Sequence, residues 1–209
     1  MQMIRFALIL SLLMPARALS QEVLGFSFGG GFTLTAGDES DTYGIGPTFS
    51  VRTLLPLSDR LGLQVAVGYH EIRIKEEVAV RRAEIVPSEF RPGGGFVEGG
   101  NQRSLGILVE GAFHLLPRSG RLSPYLLAGA GASQVRVTDL NVWHVGRWKI
   151  REPGDSELVL GADAGGGLQV RFSPVVAAFV QGTYQALFTD GGTTTMVPIQ
   201  IGLLFELSR

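Results

Sequence analysis

The segment from Thr193 to Leu207 alternates with a period of two residues, and one of its two faces is almost wholly apolar. The residues of that face are Thr193, Thr195, Val197, Ile199, Ile201, Leu203, Phe205 and Leu207. The intervening positions are more mixed, with polar or small residues such as Gln200, Gly202 and Glu206. Because successive side chains of a strand point to opposite faces, the segment predicts a strand with one face against an apolar medium.

Seven earlier segments show the same alternation, so the sequence predicts eight strands in all. The seven segments are 23–34, 42–55, 61–74, 103–116, 124–138, 157–172 and 175–188. In six of them the apolar face is clear. In segment 124–138 both faces are similar, and Gln134 and Arg136 share one of them. We therefore expect the opposite parity to face outward there, namely Tyr125, Leu127, Val135 and Val137.

The connections between these segments alternate in length. Short turns are expected at 56–60, 117–123 and 172–174, longer loops at 36–41, 73–100 and 139–156, and a tighter connection at 189–192. Short turns on one side and long loops on the other are typical of outer-membrane barrels. The sequence predicts an all-β fold, an eight-stranded antiparallel up-and-down transmembrane β-barrel with both termini on the short-turn side.

Composition agrees with a lipid-facing barrel. Hydrophobic residues make up 45% of the 209 residues, yet the apolar residues are dispersed in alternation beyond the N-terminus. The chain has 29 glycines, and Lys75 and Lys149 are its only lysines. The formal net charge of −1 gives no indication of nucleic-acid binding.

Residues 1–20 read as a signal peptide, which leaves residues 21–209 as the barrel domain. Arg5 precedes an apolar run that is too short to span a bilayer, and small residues follow at Ala16 and Ala18. The sequence contains no cysteine, which excludes a thiolate metal site and the acylated cysteine of a lipoprotein.

Two segments carry a resemblance to a known family. Ser123–Gly131, SPYLLAGAG, resembles the fifth strand of small OmpA-like outer-membrane barrels, and Pro198–Phe205 resembles the final strand of the same superfamily. The resemblance implies a bacterial outer-membrane location, contact with outer-membrane lipid, and folding by the barrel-assembly machinery. Such barrels usually end on an aromatic residue, whereas residues 206–209 follow Phe205 here.

Six charged residues are expected to face the lumen: Arg52, Glu110, Arg136, Asp163, Arg171 and Glu206. Buried charges must pair or be hydrogen-bonded, so we expect an internal salt-bridge network. The network could be a structural plug or a narrow ion path. The small cross-section of an eight-stranded barrel favours the plug.

The three histidines, His70, His114 and His144, indicate no catalytic or metal site. Some outer-membrane deacylases resemble serine hydrolases with a histidine two residues before the serine, and no histidine here has that spacing. The histidines do not cluster at metal-ligand spacing either. No catalytic residue, cofactor or metal is therefore predicted.

The loop 141–151 is the best candidate for recognition. Its candidate residues are Trp143, His144, Arg147, Trp148 and Lys149. Two tryptophans among cations suit a sugar, a lipid headgroup or a partner, or they anchor the loop at the membrane interface.

The expected function is a non-catalytic outer-membrane barrel with an envelope-structural or surface-recognition role through its extracellular loops. The extracellular ligand is not predicted. The alternatives are a lipid A-modifying enzyme, a narrow channel, or a secreted lipocalin-like ligand-binding barrel.

We expect the mature chain to be recovered in the outer-membrane fraction and to migrate faster on gels before boiling than after, because a closed barrel resists detergent. Fractionation followed by gel electrophoresis of unboiled and boiled samples measures this. A soluble periplasmic protein with one mobility would mean that the apolar faces point inward.

Overall fold

The computed structural model describes residues 24–83, 95–144 and 147–207. The predicted signal peptide, residues 1–20, lies outside these ranges. The strands are β1 Leu24–Ala36, β2 Gly46–Pro56, β3 Leu61–Ile72, β4 Gly95–Gly99, β5 Gln102–His114, β6 Leu122–Val137, β7 Leu140–His144, β8 Arg147–Glu152, β9 Asp155–Ser173, β10 Val176–Thr189 and β11 Gly192–Leu207. A 3₁₀ turn spans Gly37–Asp41, and one helix, α1, spans Glu76–Arg82.

Eight of these strands close into an antiparallel barrel in the order β1-β11-β10-β9-β6-β5-β3-β2. The first strand pairs along its whole length with the last, from Leu24 opposite Leu207 to Ala36 opposite Thr195. This pairing provides hydrogen-bond partners for the backbone of both end strands and leaves the barrel without an open edge. The predicted eight-stranded antiparallel barrel is confirmed.

The outer wall of the barrel is apolar. Its side chains include Phe28, Phe49, Ile107, Leu160 and Ile201, and Leu160 and Ile201 are each 69% exposed. In seven of the eight predicted strands the residues expected to face outward do so. A wall of this kind is stable only when lipid covers it. No helix within the described ranges is long and apolar enough to cross a membrane.

The predicted orientation of the fifth strand, now β6, is wrong. Tyr125, Leu127 and Val135 are buried in the lumen, whereas Gln134 and Arg136 are exposed on the outer wall. Both faces of β6 are small or apolar within the bilayer. The polar residues at its loop end lie where the wall leaves the hydrocarbon layer, so an outward arginine there carries no desolvation cost.

The lumen contains two apolar clusters. Val135, Val159, Leu187 and Met196 pack together toward the long loops. Leu54, Ala177 and Leu204 pack together toward the short turns.

The two longest predicted loops fold into a small unit, called the cap below, that consists of α1 and a separate sheet of order β4-β7-β8. Acidic residues in the first turn of α1 and arginines in its last turn complement the helix dipole. The buried core of the cap is Ala79, Val80, Ala83, Leu140 and Val142, with Ile74 and Val97 packed against it. Both loops contribute to one core, which holds them together above the barrel.

A tight connection links the cap to the barrel. Gly99 and Gly100 have φ of 79° and 70°, a backbone conformation that side chains other than glycine adopt only with strain. A Cβ atom at Gly99 would also overlap the carbonyl oxygen of Asp139, so β4 can lie against the β6–β7 connection only with glycine there.

We expect Val142→Asp to unfold the cap and to leave the barrel intact. Val142 is fully buried in the cap core, where an unpaired carboxylate is costly, and β7 pairs with no barrel strand. Proteolysis of vesicles or cells from outside should become faster while the heat-dependent gel shift is retained. Asn141→Asp, on the other face of β7, is the matched control. Equal protease resistance of Val142→Asp and the wild type would contradict a cap held by this core.

Candidate functional site

The centre of the lumen holds an arginine and two carboxylates from three strands. The Nε atom of Arg52, on β2, lies 3.8 Å from Oε2 of Glu110, on β5, and both side chains are almost completely buried. Asp163 on β9 reaches the same region, because a Cβ atom at Gly129 would lie 2.7 Å from Cγ of Glu110 and 2.9 Å from Oδ1 of Asp163. Gly129 therefore provides the space in which the two carboxylates approach each other.

A chain of hydrogen bonds connects this centre to the loop side of the lumen. Arg52 Nη2 donates to Oε1 of Gln200 over 2.7 Å, and Nε2 of Gln200 donates to the Thr48 hydroxyl over 2.9 Å. The Thr48 hydroxyl lies 2.9 Å from Nδ1 of His70, which also lies 3.3 Å from the Thr33 hydroxyl. His70 is thus a buried lumen residue in a hydroxyl-lined setting.

The short-turn side of the centre is filled by aromatic rings. The guanidinium carbon of Arg52 lies 5.8 Å from the ring centre of Phe179. The Tyr125 hydroxyl donates to Oε1 of Gln181 over 3.0 Å. A cavity of about 40 Å³ lies among these side chains, with Gln64 and Gln169 also in its wall. It has room for an ordered water but not for a continuous hydrated path.

A second ionic cluster lies at the short-turn end. Glu206 accepts from Nη2 of Arg118 over 2.8 Å, and from Nη1 and Nη2 of Arg171 over 2.6 and 3.0 Å. Arg171 also donates to the backbone carbonyls of Arg118 and Pro174. The cluster ties the turns before β6 and β10 to the end of β11.

The structure thus separates the six predicted lumen charges into three groups. Arg52, Glu110 and Asp163 lie together at the centre, and Arg171 and Glu206 lie at the short-turn end. Arg136 is the exception, because it faces outward from β6. Its placement in a lumen network is wrong for the reason given above for β6.

Sequence reasoning missed Arg118, because it lies in a predicted turn, where charges are normally solvated. It also missed Gln200 and Tyr125 as lumen partners. The polar and small residues on the even-numbered face of β11 indicated that Gln200 faces the lumen. Tyr125, in contrast, was assigned to the outer face.

A serine and a histidine meet inside the lumen. Nδ1 of His114 lies 2.8 Å from the Ser123 hydroxyl, and that hydroxyl also donates to the carbonyl of Leu116 over 3.2 Å. Ser123 is 1% exposed. The two residues are brought together by the fold and are not adjacent in the sequence. Because the pair is buried, a lipid ester has no access to the hydroxyl. The described residues include no cluster of His, Asp and Glu that could hold a metal ion.

At the loop-side mouth of the barrel, the Thr194 hydroxyl donates to Oε1 of Glu39 over 2.9 Å. Burial raises the pKa of the Glu39 carboxyl, and the Thr194 hydrogen bond partly offsets this rise. Thr194 also accepts from Nε2 of Gln102 over 3.5 Å, so three elements meet beneath the cap.

The recognition candidates lie on the β7–β8 hairpin of the cap. The Trp143 ring stacks on Phe96 of β4, with ring centres 5.6 Å apart and planes 19° apart. Phe96 is 47% exposed. Trp143 pairs with Trp148 and His144 pairs with Arg147 across the hairpin. The side chains of Arg147, Trp148 and Lys149 lie outside the described part of the structure.

Comparison with known proteins supports the fold. No family model and no curated protein sequence matches the chain. In solved structures, neisserial surface protein A is 14% identical with a TM-score of 0.50, and the match covers 88% of this chain and 97% of that one. A major outer membrane protein from Thermus thermophilus is 10% identical with a TM-score of 0.50, covering 89% and 99%.

The closed barrel, its apolar outer wall and these matches define the class of protein. The chain is a closed eight-stranded antiparallel β-barrel with a lipid-facing outer wall, and it shares this fold with the two outer-membrane proteins. Its apolar exterior is the reverse of a soluble lipocalin-like barrel, which presents a polar exterior to water.

We expect Arg52→Met to destabilise the folded barrel by about 3–5 kcal/mol, because it leaves two buried carboxylates without a cation. The double variant Arg52→Met/Glu110→Gln should recover much of this loss. Urea unfolding in vesicles, run as a double-mutant cycle, measures the coupling between the two residues. Purely additive effects would show that the ion pair does not hold the lumen together.

Proposed function

We propose that the protein is a non-catalytic outer-membrane barrel that displays the cap as a recognition surface on the outside of the cell. The observation that carries this proposal is the hydrophobic core shared by the two long loops. Forming such a core orders the backbone of both loops and so costs conformational entropy. A simple connection between strands would not require this cost. It holds the stacked Phe96 and Trp143 rings in a fixed position.

The closed lumen supports a role outside the barrel rather than within it. Apolar clusters and paired charges fill the lumen, and the cavity of about 40 Å³ beside Arg52 has room for only a few water molecules. This arrangement disfavours a narrow channel. The burial of Ser123 and His114 disfavours a lipid A hydrolase that would use them.

The test compares cells that make the wild-type protein with cells that make a variant in which residues 140–152 are replaced by a short Gly-Ser turn. Every barrel ladder remains in this variant, so it should reach the outer membrane and keep its gel shift. We expect it to lose binding to one or more spots of a glycan and extracellular-protein array that the wild type binds. Phe96→Ser should weaken the same spots, because it removes the exposed half of the stacked pair.

Three results would point elsewhere. A binding profile unchanged by removal of the hairpin would count against recognition by the cap. A changed lipid A mass spectrum on expression would support an enzyme instead. Single-channel conductance in planar bilayers would support a channel.

A further inference from the structure

Arginines form a row on the lipid-facing wall just below the cap. Glu71, Arg103, Arg136 and Ser156 are register partners in succession across β3, β5, β6 and β9. Directly paired residues of antiparallel strands point to the same face. The exposure of Arg103 and Arg136 shows that this face is the outer one.

The row lies at the edge of the apolar wall. The next outward row toward the short turns is Tyr69, Leu105, Gln134 and Leu158, and the row after it is Val67, Ile107, Ala132 and Leu160. From Phe113 to Arg103 the outward face of β5 covers ten residues, or ~25 Å along the membrane normal for a strand tilted by about 40°. That is the height of the hydrocarbon layer, which puts the guanidinium groups at the level of the outer lipid headgroups.

The charges in this row are not balanced by the protein. Glu71 accepts from Nε of Arg103 over 3.1 Å and from the Tyr69 hydroxyl over 2.8 Å, and Arg73 Nε lies 3.6 Å from its other oxygen. Arg136 has neither an ion pair nor a hydrogen-bond partner for its guanidinium among the described residues. When Arg73, which lies beside Glu71 outside the row, is included, three arginines and one glutamate leave an excess of two positive charges.

Two arginines directly opposite each other on neighbouring strands repel, because their Cβ atoms are about 5 Å apart. A phosphate between them would convert this repulsion into charge-assisted hydrogen bonds. The free guanidinium nitrogens of Arg103 and Arg136 and the neighbouring Ser156 hydroxyl supply suitable donors.

On the short-turn side of Arg136 the outer wall carries mostly small side chains. Ala128, Ala130 and Ala132 of β6 face outward beside Ala164, Ala162 and Leu160 of β9, and all but Leu160 are small. An acyl chain can lie against such a surface more closely than against the branched side chains of β5. The hydrogen-bond donors for a phosphate and the surface of small residues therefore follow one another along the wall. The headgroup and acyl chain of a single lipid have the same arrangement.

We propose that Arg103 and Arg136 form a binding site for a phosphate of lipid A in the outer leaflet, with an acyl chain lying along the outward alanines of β6 and β9. The site is on the barrel wall and is independent of the recognition surface on the cap.

The test measures lipid retention by native mass spectrometry of barrels extracted into neutral detergent and supplied with diphosphoryl lipid A. We expect the wild type to retain lipid A and Arg103→Gln/Arg136→Gln to retain about tenfold less, since it loses two charge-assisted contacts. Arg60→Gln, at an exposed arginine in a short turn, should retain as much as the wild type. The heat-dependent gel shift confirms that each variant is folded.

A second readout separates lipid binding from a structural role. In neutral detergent without lipid A, Arg136→Gln should unfold at the same temperature as the wild type or slightly higher, because it relieves repulsion. With diphosphoryl lipid A, the wild type should gain more thermal stability than the variant. A variant that is less stable without lipid would overturn the proposal in favour of a structural arginine.

Three further outcomes would overturn it. Equal retention of fully dephosphorylated lipid A would show that the phosphate is not recognised. Equal stabilisation by inorganic phosphate alone would show a site for free anions. A lipid-free dimer joined through the β6–β9 face would show that a second copy covers this surface.

Discussion

The closure of β1 against β11 is the constraint on which the rest of the molecule depends. Lipid offers no hydrogen-bond partner, so each backbone group at membrane depth must be paired within the sheet. Closure with eight strands then leaves a narrow interior, and side chains from all sides must fill it. Glycines provide part of the space for these side chains: Gly167 of β9 lies against the Tyr125 ring, and Gly29 of β1 and Gly202 of β11 lie against the Phe179 ring.

Periodicity predicted most of this fold because lipid and lumen impose opposite demands on alternate residues. Ile201 and Gln200, or Ile107 and Glu110, differ enough in polarity to identify their faces. The signal failed on β6, where alanines face lipid and Leu127 and Val135 face the lumen. There the orientation is decided by contacts across the barrel, such as that of Tyr125 with Gln181. These contacts cannot be inferred from the sequence of β6 alone.

The site was only partly predictable for the same reason. Arg52, Glu110 and Asp163 could be assigned to the interior one by one. The meeting of Glu110 and Asp163 at Gly129, and the contact of Arg52 with Glu110, depend on the shear of the closed sheet. The pair His114 and Ser123 lies on neighbouring strands and has no local signature. The cap was also missed, because α1 is short and its core residues come from two loops that are far apart in sequence.

The shared core of the cap also sets an order of events during export. Its helix lies between β3 and β5, and its β7–β8 hairpin lies between β6 and β9, so each part crosses the membrane with a different pair of barrel strands. Neither part can bury its apolar side chains until the other has crossed. The cap therefore becomes resistant to proteases only after both loops have crossed, and its resistance reports that the strands from β3 to β9 are in place.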